Sequence, residues 1–512
     1  MLAVITLDAA SLPLTERLLD EGRLPALAAL RDRGRWAPLE TPAEHFASGL
    51  YQPLYSGMEL REHGIYFPYQ WSAAEQRLRH AHHFPAPEPV WDRVARCGAR
   101  ALVVDPYESR PPRVSGVAYL SGLQFVNRAT LERFTVPPQL QRGLVRRHGR
   151  APLVEEVFGR PTVSRLRRIR RHFAAAPGRV ADVATELLEQ NSYDLLWVSF
   201  PVLHLGGHQL WDPGAVLRRG SARGLPEDLE DPLPEIYAAV DRALERVLAS
   251  LPPGADVVVL SPVGMGPNTS RSDLLPAMLE AVLAAGPART RSQRAEGGSW
   301  IWRLRGGVRT ALRASVARAL SARQVLDLSA RLELGRVDWM RTRAFPLPTA
   351  HQGYVRLNLR GRERDGVVDP ADAPTLLEEI TAGLLSFRDP DGSASVAGVD
   401  RVSDVVGEGP GLAIMPDLVV RWGERATTGL AGVTSPLHGE ARRRGVGTGR
   451  SGNHTSDAWI LLAPGASRVR DLERPARLVD VAATVCTLLG ASRDGRMTGD
   501  ALLEPAGALA EN

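Results

Sequence analysis

Two histidines stand at a spacing that suits metal binding. His204 and His208 follow the apolar run 194–200, which has the length of a buried strand and is ended by a proline. If the next segment is helical, both imidazoles lie on one face of the helix, although the two glycines between them weaken such a helix. An open α/β sheet binds its ligands beyond the carboxyl ends of buried strands. By itself, the pair also fits two polar residues in a surface loop.

A carboxylate occupies an equivalent place at the start of the chain. Residues 2–7 form an apolar strand that ends at Asp8, and residues 12–33 have the periodicity of one helix that Gly34 stops. In a βαβ unit, a carboxylate at this position lies in the active-site crevice; the alternative is an aspartate that caps the helix. We therefore expect Asp8 to lie at the same edge of the sheet as the histidine pair.

Arginine supplies the positive side-chain charge of this protein at neutral pH. The 512 residues contain 63 basic residues and no lysine, which excludes a lysine Schiff base or a lysine general base. Arginine clamps phosphate or sulfate well. The net charge is only +5, and no nucleic-acid-binding motif accompanies the arginine-rich run 165–172. We predict a solvated helix face there and no nucleic-acid partner.

The remaining bulk properties are typical of a soluble globular protein. An apolar content of 44% in 512 residues suffices for one large α/β domain with insertions, or for two or three domains. Cys97 and Cys486 are far apart in apolar contexts, which predicts core thiols without a disulfide. No secretion signal or membrane span is recognisable. We expect a cytoplasmic protein without a membrane partner.

Several motifs occur in an order that is typical of one enzyme family. They are SGMELREHGI at 56–65, PVWDRVARCGARALVVDPYESRPP at 89–112, YDLLWVSFPVLHLGGHQLWD at 193–212, SPVGMGP at 261–267, GYVRLNLRGRERDGVV at 353–368 and GNHTSDAWILLAPG at 452–465. Through them, nearly the whole chain resembles the type I phosphodiesterase/nucleotide pyrophosphatase branch of the alkaline phosphatase superfamily. The resemblance implies an α/β fold with a mostly parallel central sheet, helices on both faces and inserted cap regions. It also implies phosphate- or sulfate-ester chemistry at two divalent metal ions.

The resemblance assigns metal ligands, and some of these positions are changed. Asp8, His208 and His454 match ligands of the family, whereas His204 stands where the family's Asp-x3-His motif has its aspartate. An imidazole nitrogen also binds zinc. Residues 262–263, a proline and a valine, replace both ligands of the family's S-D-H-G-M motif. Three imidazoles suffice for one ion, with zinc expected, while the second metal site cannot form as the family builds it.

The position of the family's nucleophile is changed as well. The family's spacing places Ala47 there, so Ser48 serves as nucleophile only if the loop shifts by one residue; a water molecule is the alternative. Asp8 is then an additional metal ligand, an orienting residue or a catalytic base. Glu44 and His45 lie close by in the sequence and are candidate pocket residues.

Other polar residues receive secondary interpretations. His63 matches the family's HGI motif, where a structural role is expected. His351 and His438 are candidates for lining the pocket, and the histidines within 80–83 are expected to be solvated. Three arginines are candidates to clamp an anionic substrate, with a solvated surface role as the alternative: Arg356, Arg360 and Arg362.

The predicted organisation leaves three functions open. We expect an alkaline-phosphatase-like core from 1–285 and 431–512, a helical insert at about 113–190, and a cap region at 286–430. The first function is cleavage or transfer of a small anionic ester at a one-metal site. The second is an enzyme repurposed for other metal-centred biosynthetic chemistry. The third is a catalytically inactive relative that binds a ligand or a partner.

Overall fold

The fold is taken from a computed structural model. It describes residues 1–125, 133–149, 160–217, 224–284, 337–349, 351–443 and 448–506. The basic helical stretch predicted over 307–336 lies outside these residues.

A nine-stranded sheet forms the centre of the protein. In order across the sheet, its strands are β20 (Ala476–Arg477), β2 (Arg35–Glu40), β18 (Trp459–Ala463), β9 (Asp256–Ser261), β1 (Leu2–Thr6), β8 (Leu195–Ser199), β5 (Ala101–Val104), β6 (Val117–Leu120) and β7 (Thr135–Val136). The strands from β9 to β6 are parallel, whereas β18 and β7 run antiparallel to their neighbours. This arrangement confirms the predicted α/β class with a mostly parallel central sheet.

The parallel strands are apolar because both faces of the sheet are covered. Every residue of β1, β5, β6 and β8 is buried, as expected for a parallel sheet between helical layers. The helices of the described chain are α1 (Leu12–Asp20), α2 (Pro25–Arg33), α3 (Ala43–Phe46), α4 (Tyr51–Ser56), α5 (Leu60–His63), α6 (Val90–Arg96), α7 (Gln139–His148), α8 (Val163–Gln190), α9 (Val202–Leu210), α10 (Pro213–Val216), α11 (Leu233–Ala249), α12 (Leu275–Ala284), α13 (Ala373–Leu385), α14 (Val402–Val406) and α15 (Asp480–Leu488). Helices α8, α9 and α11 pack together, and so do α4, α6 and α15.

The segment 12–33 is two helices instead of the single helix predicted. Gly22 adopts a positive φ of 67°, and the peptide N–H of Arg23 donates to the carbonyl oxygen of Leu18 at 2.9 Å. A left-handed glycine closed by such a bond ends a helix. Pro25 then begins α2, because proline is well suited to the first helical turn.

A second, smaller hydrophobic cluster packs around an antiparallel sheet. Its strands, in order, are β11 (Ala344–Leu347), β12 (Gly353–Leu357), β14 (Leu418–Trp422) and β13 (Val396–Arg401). Helices α12 and α13 and the hairpin of β15 (Gly432–Ser435) and β16 (Gly439–Arg442) contribute to this cluster. The division into a core and a cap region stays a prediction.

The remaining strands form short pairs: β3 (Tyr69–Ser72) with β4 (Arg77–His80), β10 (Gly266–Pro267) with β17 (Gly452–Asn453), and β19 (Ser467–Val469) with β21 (Leu503–Pro505).

Two of the arginines considered for substrate binding hold the smaller sheet together instead. Arg356 is fully buried; its Nε donates to Glu363 at 2.8 Å and its Nη2 to the carbonyl oxygen of Ala413 at 2.8 Å. Arg362 donates to both carboxylate oxygens of Asp417, at 2.6 and 2.8 Å. These guanidinium groups are therefore committed to partners within the fold and do not lie free to clamp a substrate. Arg360 is exposed.

Other surface predictions have mixed outcomes. In the run 165–172, Arg167 and Arg170 form surface ion pairs with Asp228, which agrees with a solvated helix face. Cys486 is buried, but Cys97 is exposed; the prediction of a core thiol there is wrong because α6 ends at Arg96 and Cys97 stands at its C-terminal cap. No described helix is long and apolar enough to cross a membrane.

Candidate metal centre

The histidine pair lies on a helix that begins just beyond β8. All residues of α9 are buried, including His204 and His208, and this burial outweighs the low helix propensity of its two glycines. A side chain at Gly207 would come within 2.6 Å of Met265. The glycine thus permits close packing of the helix, and both imidazoles extend from the same face beyond the carboxyl end of β8.

His454 reaches the same place from the C-terminal part of the chain. Strand β17 pairs with β10 and ends immediately before His454. The backbones of Gly264 and Thr455 exchange two hydrogen bonds, of 3.1 and 3.3 Å. The turn at 261–265 contains no histidine, cysteine or carboxylate, and its backbone holds the histidine segment in position.

Three imidazoles form one compact group. The ring centroids of His204, His208 and His454 are 4.5 to 4.9 Å apart, and one nitrogen of each lies within 4.8 Å of the others. Across the described residues this is the single group of three metal-ligating side chains found. The Nδ1 of His208 lies 2.9 Å from the carbonyl oxygen of Gly452, while its buried Nε2 has no hydrogen-bond partner among the described residues. A buried nitrogen of this kind fits a metal ligand.

Asp8 lies against this group, and its carboxylate accepts a hydrogen bond from a neighbouring tyrosine. Its Oδ2 is 3.1 Å from the Nδ1 of His204. The hydroxyl of Tyr51 donates to the carboxylate and lies 3.0 and 3.2 Å from its two oxygens. The same hydroxyl lies 3.2 Å from the Nδ1 of His204. In this arrangement Asp8 orients a histidine; its role as a direct metal ligand stays a prediction.

The surroundings of two imidazoles, those of His208 and His351, favour their neutral form. Burial lowers the pKa of His208 well below its ordinary value, and the positive charge of Arg450 lowers it further. The pKa of His351 is lowered in the same direction, first by burial and then by His454 and Arg450. Burial raises the pKa of Asp8 to about 7, whereas the hydrogen bond from Tyr51 lowers it. Neutral imidazole is the form that binds metal.

His351 joins the edge of the group. Its ring centroid lies 4.5 Å from that of His454 and 5.7 Å from that of His208. Its Nδ1 makes a short hydrogen bond with the side-chain oxygen of Asn453. The sequence offers His351 only as a candidate for lining the pocket, and the structure places it directly against two of the three proposed ligands.

Ser48 lies in a turn between α3 and α4 and lines a cleft. Tyr51 lines the same cleft, so the cleft borders the residue that contacts Asp8 and His204. The hydroxyl of Ser48 has no hydrogen bond to a described residue that would act as a base. Ala47 is buried beside it. As nucleophile, Ser48 remains a prediction.

Glu44 and His45 lie outside the imidazole group. Glu44 forms an ion pair with Arg421 at 3.0 Å, and the Nε2 of His45 lies 3.4 Å from Asp400. Arg421 also pairs with Asp400, at 2.7 Å. These side chains form one partly exposed network at the end of β13 and β14, which gives them a different set of partners from the proposed ligands.

The other histidines are placed apart from the centre. The Nδ1 of His63 accepts from the N–H of Ile65 at 3.0 Å, and burial lowers the pKa of His63 to about 4, which agrees with a structural role. His438 stacks against Phe387 in the second hydrophobic cluster. His80 is buried at the cleft, with its Nδ1 2.7 Å from that of His82. The expectation of a solvated cluster is therefore wrong for His80, because β3 and β4 fold this segment inward.

The residues around Asp8 do not fit a second metal ion of the family's type. Val263 is buried in the main hydrophobic core. Ser261 accepts from the N–H of Ala10 and donates to the carbonyl oxygen of Val263, each at 2.9 Å. Asp8 accepts a hydrogen bond from the hydroxyl of Tyr51. The sequence does not predict a role for Tyr51. Its position shortly after Ser48 is the one feature of the sequence that places it near the site.

One glycine is expected to control the geometry of the centre. A Cβ at Gly452 would clash with the backbone carbonyl oxygen of Gly207 and lie 2.8 Å from Trp211. We expect Gly452→Ala to lower the free energy of unfolding by about 1–3 kcal/mol and to weaken metal binding, since β17 must move away from α9. Urea unfolding and zinc titration measure both effects. Gly178→Ala is the control, because nothing lies within 4 Å of its new methyl; equal behaviour of the two variants would contradict the prediction.

Comparison with known proteins agrees with the fold. The chain has the architecture of the alkaline phosphatase superfamily: it is similar to the alkaline phosphatase PafA, with a TM-score of 0.52, 10% identity and 98% of both chains covered. It is also similar to phosphonoacetate hydrolase from Sinorhizobium meliloti in complex with phosphonoformate, with a TM-score of 0.50, 15% identity, and 96% of this chain and 95% of that chain covered. At these identities the likeness concerns the fold.

The family follows from the sequence match. Residues 2–420 match the model of the type I phosphodiesterase/nucleotide pyrophosphatase family, and the chain therefore belongs to that family. A search among curated proteins finds no match. Members of the family are phosphoryl-transfer enzymes that use divalent metal ions, typically zinc.

Proposed function

We propose that this protein hydrolyses a small phosphate- or sulfate-type ester at a centre that holds one divalent ion, expected to be zinc. The main support is the compact group of His204, His208 and His454 beside the cleft. Family membership supports the ester class. Three imidazoles with an open fourth position are typical of a catalytic zinc site.

Different residues of the chain would have different roles around such an ion. His204, His208 and His454 would hold it, and when bound it supplies a Lewis acid that polarises the ester and acidifies water. Arg450 adds positive charge close to the imidazoles, which favours an anionic ligand. The cleft next to Tyr51 provides the space for the rest of the substrate.

Water is the better candidate for the nucleophile than Ser48. A serine hydroxyl is a weak nucleophile without an adjacent base or metal, and the carboxylate of Asp8 is bonded to Tyr51 and His204. We expect Ser48→Ala to keep kcat/KM within about 10-fold of the unsubstituted protein, since the loss is limited to one lining group of the cleft.

A metal analysis and an ester panel test the proposal together. We expect about one zinc ion per chain, and hydrolysis of at least one nitrophenyl phosphate monoester, phosphate diester or sulfate ester. Loss of that activity in Ser48→Ala, with the zinc retained, would establish the serine as nucleophile. A protein without bound metal and without activity would contradict the proposal and favour a ligand-binding relative.

A second candidate function is other metal-centred chemistry, such as a lyase or group-transfer reaction in biosynthesis. The buried Val263 and Ala47 favour it, because the positions of a metal ligand and of the nucleophile are apolar. One zinc ion per chain with no hydrolysis of any ester in the panel is the result expected for this alternative.

A further inference from the structure

One hydroxyl group links the carboxylate and the imidazole at the edge of the proposed centre. Tyr51 lies on α4, and its hydroxyl is 3.0 and 3.2 Å from the two oxygens of Asp8 and 3.2 Å from the Nδ1 of His204. All three side chains are buried. The hydroxyl of Tyr51 thus contacts both the carboxylate of Asp8 and the Nδ1 of His204.

The hydrogen bonds determine which nitrogen of His204 can face a metal ion. Asp8 Oδ2 lies 3.1 Å from Nδ1 of His204, so a proton on Nδ1 is donated to the carboxylate. The lone pair of the imidazole is then on Nε2. Such a carboxylate–histidine pair orients the ring and increases the basicity of the metal-binding nitrogen.

The tyrosine also determines what Asp8 is free to do. Its hydroxyl donates to the carboxylate from a position close to both oxygens, where a directly bound cation would otherwise sit. A tyrosine hydroxyl is protonated at neutral pH, since its ordinary pKa is about 10, and the group is therefore available as a donor to Asp8. The carboxylate is therefore stabilised by a neutral group and not by a second ion.

Neighbouring rings hold the tyrosine in place. The ring of Tyr107 lies 5.0 Å from that of Tyr51 at 69° and 4.7 Å from that of His204. Tyr55, one turn further along α4, donates its hydroxyl to the carbonyl oxygen of Tyr107 at 2.8 Å. Edge-to-face packing of this kind fixes ring positions independently of the Tyr51 hydroxyl.

We propose that Tyr51 is a positioning residue of a one-metal centre. With Asp8, its hydroxyl holds His204 with Nε2 directed to the ion, and it occupies the carboxylate so that Asp8 orients a ligand instead of binding a second ion. This inference rests on the proposed function, because it presumes that the imidazole group binds a metal.

Zinc affinity of the Tyr51→Phe variant tests the inference. We expect the dissociation constant, measured by competition with a chromogenic chelator, to rise by about 10- to 100-fold, the usual effect of losing such a support. The absorption spectrum of the cobalt-loaded protein should change, because the ligand geometry changes. The matched control is Tyr354→Phe, which removes the hydroxyl of a buried tyrosine that donates to the carbonyl oxygen of His45 at 3.0 Å and not to Asp8; it should bind zinc as the unsubstituted protein does.

A double-mutant cycle distinguishes positioning from general destabilisation. Because Tyr51 and Asp8 support the same imidazole, Tyr51→Phe combined with Asp8→Asn should cost no more affinity than the larger single effect. Thermal unfolding without metal verifies that each variant is folded, and the Asp8→Asn arm tests the same support if Tyr51→Phe does not fold.

The outcomes separate the inference from the proposed function. If the unsubstituted protein binds no divalent ion, the metal centre is wrong and the role of Tyr51 is wrong with it. If the unsubstituted protein binds one ion and Tyr51→Phe binds it equally well, with an unchanged cobalt spectrum, the metal centre stands and only the positioning role is overturned. Additive losses in the double mutant would likewise overturn it.

Discussion

His208→Asn is expected to lose the bound divalent ion and about 1,000-fold in kcat/KM on any ester that the protein hydrolyses. Such a factor corresponds to about 4 kcal/mol of transition-state stabilisation, the range that a bound metal supplies. The Nε2 of His208 is buried and unpaired among the described residues, so its natural partner is the ion shared with His204 and His454. Removing one of three ligands leaves too few to hold the ion tightly.

Asparagine is chosen because it separates metal binding from packing. Its amide nitrogen takes the place of Nδ1 and can still donate to the carbonyl oxygen of Gly452, a bond of 2.9 Å in the native protein, but it has no counterpart of Nε2. Metal content per chain and steady-state kinetics are the measurements. His438→Asn is the control, since His438 packs on Phe387 away from the centre. A full complement of metal in His208→Asn would show that the imidazole group is not the binding site.

The second large effect concerns stability and not chemistry. Arg356→Met is expected to lower the free energy of unfolding by about 3–5 kcal/mol, because the buried carboxylate of Glu363 loses one of its two arginine partners and keeps only Arg362. Arg356 and Glu363 are both completely buried and 2.8 Å apart. The carbonyl oxygens of Ala413 and Met415 also lose their donors. Urea unfolding followed by circular dichroism measures the change.

A neighbouring arginine provides the matched control for this prediction. Arg360 is exposed, and Arg360→Met should change the free energy of unfolding by no more than about 0.5 kcal/mol. Zinc affinity should be unchanged in both variants while they are folded. If Arg356→Met were as stable as the unsubstituted protein but showed a raised KM, the arginine would serve the substrate, as one interpretation of the sequence suggests.

The local patterns of the chain account for the predictions that the structure confirms. The apolar runs that become β1 and β8 are long enough to be recognised as buried strands, and the motifs along the chain indicate the family. The prediction of one helix over 12–33 fails at Gly22, since a left-handed turn preserves the leucine periodicity on both sides of the break. The exposure of Cys97 depends on where α6 ends, and the burial of His80 depends on how β3 and β4 pack; local hydropathy specifies neither.

The same distinction between sequence and tertiary structure applies to the proposed metal centre. The types and spacing of His204, His208 and His454, together with the family's motifs, determine by sequence alone which side chains are available for a metal and that the usual second set is absent. Only the tertiary structure decides that Tyr51 binds Asp8 and His204, which are 43 and 153 residues away in the chain, and that Arg356 is buried against Glu363. The physical reason is that the type and order of ligands are properties of the chain, whereas hydrogen-bond partners and burial are decided by distances between segments that meet only when the sheet is formed.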